Sequence, residues 1–311
     1  MSIRVQDLVK RYRGAARNAV DGVELSVDRG QLFCLLGPNG AGKTTILSIL
    51  TTTLSATAGK VEIAGHDLDT DEAGVRRATG VVFQESSLDL NLTAEENVRL
   101  HAILYGEYPW RPLLRLMPEA YRREVRDLAA VLGVEGVLTQ PARSLSGGTR
   151  RKLEIVRALM HRPAVLFLDE PSAGLDPESR RNLWEYLRDA RQRWGTTIFL
   201  TTHYLDEAEE ADAVSIIAEG RVIEAGSPEA LKARLTTREV WVDAEDRERL
   251  CQELLRLGLT PASGPGPLRL TLEGHTLQWV LRSIESDLTL LRVMEPSLED
   301  AYLDLVQKAR Q

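Results

Sequence analysis

Residues Gly37-Pro38-Asn39-Gly40-Ala41-Gly42-Lys43-Thr44-Thr45 crowd three glycines, a lysine and two threonines into one short stretch. They fit G-x-x-x-x-G-K-[ST], a loop whose glycines let backbone N–H groups point inward. The lysine adds a cation, and the helix that follows aims its positive dipole end at the same spot. The guest expected of such a loop is a triphosphate, with the Thr44 hydroxyl reaching Mg²⁺ and Thr45 placed to bond a neighbouring phosphate. A second constellation is Asp169-Glu170, two carboxylates at the end of the apolar run Ala164-Val165-Leu166-Phe167-Leu168. Sheets of α/β proteins bind ligands at the carboxyl ends of their strands. There Asp169 fits a Walker-B role in holding Mg²⁺, and Glu170 is placed to orient and deprotonate a water attacking the γ-phosphate. A third is Ser146-Gly147-Gly148, a natural N-cap and two glycines before a helix over Arg150 to Met160. Taken alone it reads as a turn before a helix; beside the other two it is a second phosphate-seeking helix start.

These side chains need a scaffold that places strand ends and helix starts together. Gln31 to Leu36 is a short apolar run suited to a buried parallel strand, and Thr45 to Leu50 reads as the helix after the phosphate loop. Before them, residues 3 to 36 alternate in strand fashion, with a turn at Asp28-Arg29-Gly30. Gly59 to Ala64 and a run ending at Val81-Val82-Phe83-Gln84 supply further strands. From Thr93, whose Thr93-Ala94-Glu95-Glu96 is a capping box, to about Gly148 the spacing turns helical. Strand and helix then alternate again: Val165 to Asp169, a helix near Arg180 to Arg193, and Thr196 to Leu200. A hairpin around Glu219-Gly220 and a helix capped by Ser227-Pro228 follow. The expected fold class is therefore α/β, with a parallel sheet, a β-rich N-terminal part and a helical insert at about 93–160. A small α+β unit is expected from 236 to 311, after a main domain of 1–235. In it the Pro- and Gly-rich stretch 261–267 reads as an internal loop.

At 311 residues with 43% hydrophobic side chains the chain is long enough for one large domain plus a smaller one. Its net charge of −7 offers no electrostatic case for nucleic acid. The apolar runs are far shorter than the roughly 20 residues that cross a bilayer. The start, Met1-Ser2-Ile3-Arg4-Val5, moves directly into strand-like alternation without a signal-peptide pattern, so a cytoplasmic protein is expected. Cys34 and Cys251 form no C-x-x-C pair, and His66, His101, His161, His203 and His275 are scattered along the chain without metal spacing.

Over about residues 3 to 235 the sequence resembles the nucleotide-binding subunits of ABC transporters. The motifs stand in the family's order: GPNGAGKTT, the Q-loop glutamine Gln84, the signature LSGGT at 145 to 149, FLDEP at 167 to 171, SAGLDP with Asp176, and TTH with His203. Tyr12 matches the aromatic residue that the family stacks on adenine. The resemblance implies the P-loop NTPase fold of ABC ATPases, with ATP and Mg²⁺ as ligands. It implies Glu170, His203 and Gln84 as catalytic groups and Thr44, Gln84 and Asp169 as metal groups. Nucleotide contacts would come from Tyr12, residues 37 to 45 and Asp176, and from Ser146, Gly147 and Gly148 acting across a head-to-tail dimer on the partner's γ-phosphate. Neither half of such a site hydrolyses well alone, because the transition-state charge lacks donors on one side. The signature departs from the family's commonest form in having Thr149 where Gln is usual.

Thr201 to Glu209 and the ending Glu295-Pro296-Ser297-Leu298-Glu299-Asp300-Ala301-Tyr302 resemble ATPases of ABC-2-type exporters, including daunorubicin-resistance-like drug pumps. That implies a motor, most readily a homodimer, docked on a separate transmembrane permease at the inner face of the cell membrane, with no direct contact with the transported compound. Export of drugs, antibiotics or other hydrophobic compounds is the leading expectation; lipid, polysaccharide or ion export is the alternative. A soluble ABC ATPase acting on DNA or the ribosome is opposed by the single cassette, the lack of a coiled-coil insertion and the lack of a basic patch. A P-loop kinase or GTPase is opposed by LSGGT. The C-terminal unit carries no phosphate loop and no acid pair on a strand end, so packing is its expected role.

Overall fold

The computed structural model describes residues 1–233, 239–262, 266–272, 276–294 and 297–309. The expected boundary at 235/236, the middle of the 261–267 loop, His275 and the Glu295-Pro296 start of the ending motif lie outside the described residues. The chain forms two compact units, Met1–Ala225 and Gly226–Gln311.

The first unit runs β1 (Ile3–Lys10), β2 (Val20–Val27), β3 (Leu32–Leu36), α1 (Lys43–Leu50), β4 (Ala58–Ile63), β5 (His66–Asp67), α2 (Glu72–Ala78) and β6 (Thr79–Val82). It continues through α3 (Ala94–Leu104), α4 (Glu119–Val131), α5 (Gly147–Leu159), β7 (Val165–Asp169), α6 (Pro177–Trp194), β8 (Thr197–Thr202), α7 (Leu205–Glu209), β9 (Ala213–Ala218) and β10 (Arg221–Gly226). Two sheets result. The antiparallel one has the order β2-β1-β4-β5, and its strands alternate buried and exposed residues, as a sheet with one buried face must. The other has the order β10-β9-β3-β8-β7-β6, with β3, β6, β7, β8 and β9 paired in parallel. β3, β7 and β8 are buried along their whole length, which is why they read as unbroken apolar runs. Their Phe33, Phe167 and Phe199 pack with Ile3, Leu8, Val23, Ile46 and Leu50 in one core that joins the two sheets through α1.

The helices begin where their caps dictate. Thr93 closes the expected capping box: its hydroxyl accepts from Glu96 N at 3.2 Å, and the Glu96 carboxylate accepts from Thr93 N at 2.8 Å. Ser146 caps α5, and Asp176 caps α6 with Pro177 in the first helical position. α6 therefore starts three residues before Arg180. α1 likewise starts at Lys43 rather than Thr45, because Gly42 at φ 108° turns the chain directly into the helix. That places Lys43, Thr44 and Thr45 in the first turn, at the positive end of the dipole.

The second unit comprises α8 (Pro228–Ala233), β11 (Glu239–Ala244), α9 (Arg247–Arg256), β12 (Leu268–Thr271), α10 (Leu277–Ser283), β13 (Leu288–Met294) and α11 (Leu298–Ala309). Among the described residues it holds one sheet, β12-β11-β13, antiparallel in both pairings. Val240 and Val242, opposite Leu270 and Leu268, face Leu250 and Leu254 of α9 and Val280 of α10 in an apolar core.

Candidate nucleotide-binding and hydrolytic site

Four adjacent parallel strands release their chains at one edge of the larger sheet. β3 ends in the phosphate loop, β8 in His203, β7 in Glu170, and β6 just before Gln84. Register makes these exits level: Leu36 lies beside Thr202, Asp169 beside Thr201, and Val82 beside Leu168. A parallel sheet puts the carboxyl ends of all its strands on one side, so residues far apart in sequence meet there. The cavity they enclose is about 500 Å³ and is lined by Ala19, Asn39, Gly40, Gly42, Lys43, Thr44, Thr45, Gln84, Glu170 and His203.

The loop depends on close backbone approach. A Cβ on Gly37 would lie 2.4 Å from the Ile217 carbonyl oxygen, and one on Gly42 would lie 2.6 Å from that of Ala19. The Lys43 ammonium is buried and donates to the carbonyls of Gly37 at 2.6 Å and Pro38 at 3.1 Å, which folds the side chain back along its own loop. Burial lowers its pKa, while the negative charges of Glu170 and Asp169 oppose that shift. The first turn of α1 holds no acidic residue, and no side chain caps it. Free N–H groups, a cation and two hydroxyls converging on one cavity fit a phosphate chain. The Thr44 hydroxyl and Asp169 carboxylate are hard oxygen donors of the kind Mg²⁺ takes.

Asp169 is 4% exposed and accepts a hydrogen bond from the Thr201 hydroxyl. Burial raises its pKa, and the Thr201 bond partly counters this. Glu170, the next residue, has φ 46°, a left-handed backbone that is costly for a residue with a Cβ. Its carboxylate is held from both sides: Oε1 lies 2.8 Å from His203 Nδ1, and Oε2 accepts from Gln84 Nε2 at 3.4 Å. A base fixed by a histidine and an amide at the mouth of a phosphate cavity has the geometry to hold and deprotonate a water.

Not every expected site residue reaches this cavity within one chain. Gly37, Pro38 and Ala41 complete the loop without lining the space, and Tyr12 touches it through Thr45, their hydroxyls 3.2 Å apart. Asp176 caps α6, its carboxylate accepting from Ser179 N at 2.9 Å. Ser146 and Gly147 are exposed at the start of α5, and a Cβ on Gly147 would meet nothing within 4 Å. Three contributors were not among the expected site residues. Ala19 lines the cavity through a loop between two strands, Thr201 steadies Asp169, and the buried Arg151 donates to the backbone carbonyls of Asp169, Glu170 and Pro171. Of these only Thr201 had a cue, its place two residues before His203 in a strand beside β7.

The fold and site define a cassette-type ATP-binding domain. The chain superposes on a solved ATP-binding subunit of an ABC transporter with a TM-score of 0.67 at 30% identity, covering 75% of this chain and 93% of that one. It superposes on the dimeric bacterial ABC transporter cassette MJ0796 with a TM-score of 0.65 at 27% identity, covering 72% and 98%. Residues 20–173 match the family model described as ABC transporter. The daunorubicin/doxorubicin resistance ATP-binding protein DrrA of Streptomyces peucetius is 36% identical over 98% of this chain and 91% of its own length. The Nod factor export ATP-binding protein I of Ralstonia nicotianae is 39% identical over 74% of this chain and 68% of its own. The chain belongs to the ABC transporter family, as one of its ATP-binding subunits.

Proposed function

We propose that this chain hydrolyses ATP in a head-to-tail pair and so drives a separate membrane-spanning subunit that exports drug-like or other hydrophobic compounds. The observation that carries the hydrolytic part is Glu170, held by His203 and Gln84 on the wall of the phosphate cavity. In this reading the phosphate loop, 37 to 45, binds the ATP phosphates and Tyr12 carries the adenine. Thr44, Asp169 and Gln84 would hold Mg²⁺, which would neutralise phosphate charge when bound. Glu170 takes the proton of the attacking water, and His203 keeps the carboxylate aimed. The exposed Ser146 and Gly147 and the half-buried Gly148 would act on a partner's γ-phosphate, with Asp176 at the same seam. Residues 1–235 form the nucleotide-binding domain, with 93–160 as its helical part, and 236–311 form an accessory domain.

Support for export comes from the relatives' names, drug resistance in one case and Nod factor export in the other, the latter favouring a different cargo as second reading. Among the described residues no helix is long and apolar enough to cross a membrane, and in this reading the membrane-spanning part is a separate subunit. Peripheral attachment at the inner membrane face follows from that partner. Gly147→Asp tests the pairing, because the open space around Gly147 leaves the single chain intact. It is expected to keep nucleotide affinity within about threefold and to cut phosphate release by about 10²-fold or more, the cost of losing one oxyanion donor. Loss of nucleotide binding by the isolated monomer would overturn the assignment in trans. Cofractionation with membranes on coexpression with the neighbouring membrane-protein gene tests the transport role; a chain that stays in the supernatant and leaves drug efflux unchanged contradicts it.

A further inference from the structure

Arg151 is 7% exposed, one helical turn beyond Gly147 on α5, and each of its three guanidinium nitrogens donates to a backbone carbonyl. Nε donates to the Pro171 carbonyl at 3.4 Å, and Nη2 donates to the carbonyls of Asp169 and, at 3.2 Å, Glu170. Nη1 donates to the carbonyl of Phe83, the residue before Gln84, and lies 3.6 Å from the Glu154 carboxylate. Glu154 in turn accepts from Ser87 N at 2.7 Å, and Arg157, one and a half turns on from Arg151, donates to the Ser87 carbonyl at 3.0 Å. The helix that presents Ser146 and Gly147 is thus bolted both to the loop carrying Glu170 and to the loop carrying Gln84.

Burying a guanidinium is costly, and adhesion of α5 is already provided by Leu153, Ile155, Val156 and Leu159, all buried. What apolar packing cannot do is fix four carbonyls at or just beyond the ends of two strands, where the sheet ladder stops supplying donors. The planar fork of arginine does so in one geometry, and a lysine, with fewer donors and no fork, cannot. We propose that Arg151 is a positioning residue. It holds the left-handed turn at Glu170 and the backbone of Gln84 in register with the signature helix, so that a displacement of that helix by a partner's nucleotide is felt at this chain's own catalytic carboxylate. The inference rests on the hydrolytic reading of Glu170.

The test uses the full-length chain as wild type, Arg151→Met and Arg151→Lys. Three readouts are hydrogen exchange without nucleotide, affinity for a fluorescent ATP analogue, and phosphate release from Mg-ATP. In Arg151→Met, exchange is expected to rise about tenfold or more in peptides covering 83–87 and 169–173 while 32–50 stays at the wild-type level. Affinity should stay within about threefold while kcat falls at least tenfold, a split that general loss of stability does not produce. Arg151→Lys is expected to fall between Arg151→Met and wild type. A wild-type kcat in a folded Arg151→Met, or unchanged exchange at both segments, overturns the proposal. Should Arg151→Met not fold, Arg151→Lys decides: lowered kcat at unchanged affinity supports the role, and wild-type kcat overturns it. A wild-type chain that releases no phosphate refutes the hydrolytic reading instead, and exchange at the two segments then decides on Arg151 alone.

Discussion

The two units of this molecule bury different chemistry. In Met1–Ala225 the interior holds Lys43, Glu95, Arg99, Arg151, Glu154, Asp169 and Glu207, charged groups at most 7% exposed. In Gly226–Gln311, among the described residues, no charged or polar side chain reaches that degree of burial, and the core of Val240, Val242, Leu250, Leu254, Leu268, Leu270 and Val280 is entirely apolar. Burying a charge costs several kcal/mol unless it is paired. The first unit accepts that cost where its strands end at the cavity, where α5 meets them, and in the Glu95–Arg99 pair of α3 that Tyr121 joins. The second follows the less expensive rule of close packing. The contrast separates a unit shaped by chemistry from one shaped by adhesion, and it can be tested from either side.

The largest expected effect is at the cavity. Glu170→Gln keeps the shape of the side chain but cannot accept a proton, so turnover should fall by about 10²-fold or more while ATP binding survives. It should also trap an ATP-bound pair, visible by size-exclusion chromatography with Mg-ATP. Near-normal phosphate release would remove Glu170 from the catalytic role and with it the reason for its strained backbone. A smaller effect is expected from Leu254→Ala, which empties a fully buried position in the second unit. Leu→Ala changes of this kind cost about 2–5 kcal/mol, to be read as a lowered urea midpoint for the unfolding of that unit. Nucleotide affinity should stay within about threefold; a larger loss would mean that the apolar unit shapes the cavity after all.

The smallest effect concerns a polar cluster of the first unit that takes no part in the site. His101, scattered from His161 in sequence, is brought to a ring separation of 5.4 Å from it, with Tyr105 stacked on His161 at 4.0 Å. Burial pushes the pKa of His101 down to about 3, with the charge of Arg157 and then His161 adding to the shift. The folded chain therefore keeps this ring neutral, while the unfolded chain protonates it below its ordinary value of 6.5. The contribution to stability is present above about pH 6.5 and is lost as pH falls toward 3, by up to ~1.4 kcal/mol per pH unit. His101→Phe should flatten the decline of the urea midpoint between about pH 6.5 and pH 5. An unchanged slope would show that His101 takes up its proton without unfolding.

Much of the site was legible because its signals are local. A glycine at φ 108° before a helix, a serine or aspartate N-cap, a threonine–glutamate capping box and an apolar run bounded by turns each act over a few residues. They are written in residue type and spacing. So Gly37 to Thr45, Ser146 to Gly148, Asp169 and Glu170 could be assigned a chemistry from the chain alone, and Gln84, His203 and Tyr12 from the order of the motifs. Element ends were less well marked: β8 runs to Thr202, two residues past the expected Leu200, because Thr201 and Thr202 are held by pairing with β7 and β3.

What only the tertiary structure decided is which of these residues meet. Gln84 and Glu170 are 86 positions apart, and Glu170 and His203 33 apart; they converge because β6, β7 and β8 are neighbours in a parallel sheet. Strand order follows from how crossovers pack, which no local pattern records. Thr201 serves Asp169 through sheet register. Arg151 was invisible for a further reason: its acceptors are backbone carbonyls, which every residue has, so the sequence carries no mark of the bonds that bind α5 to the loops after β6 and β7.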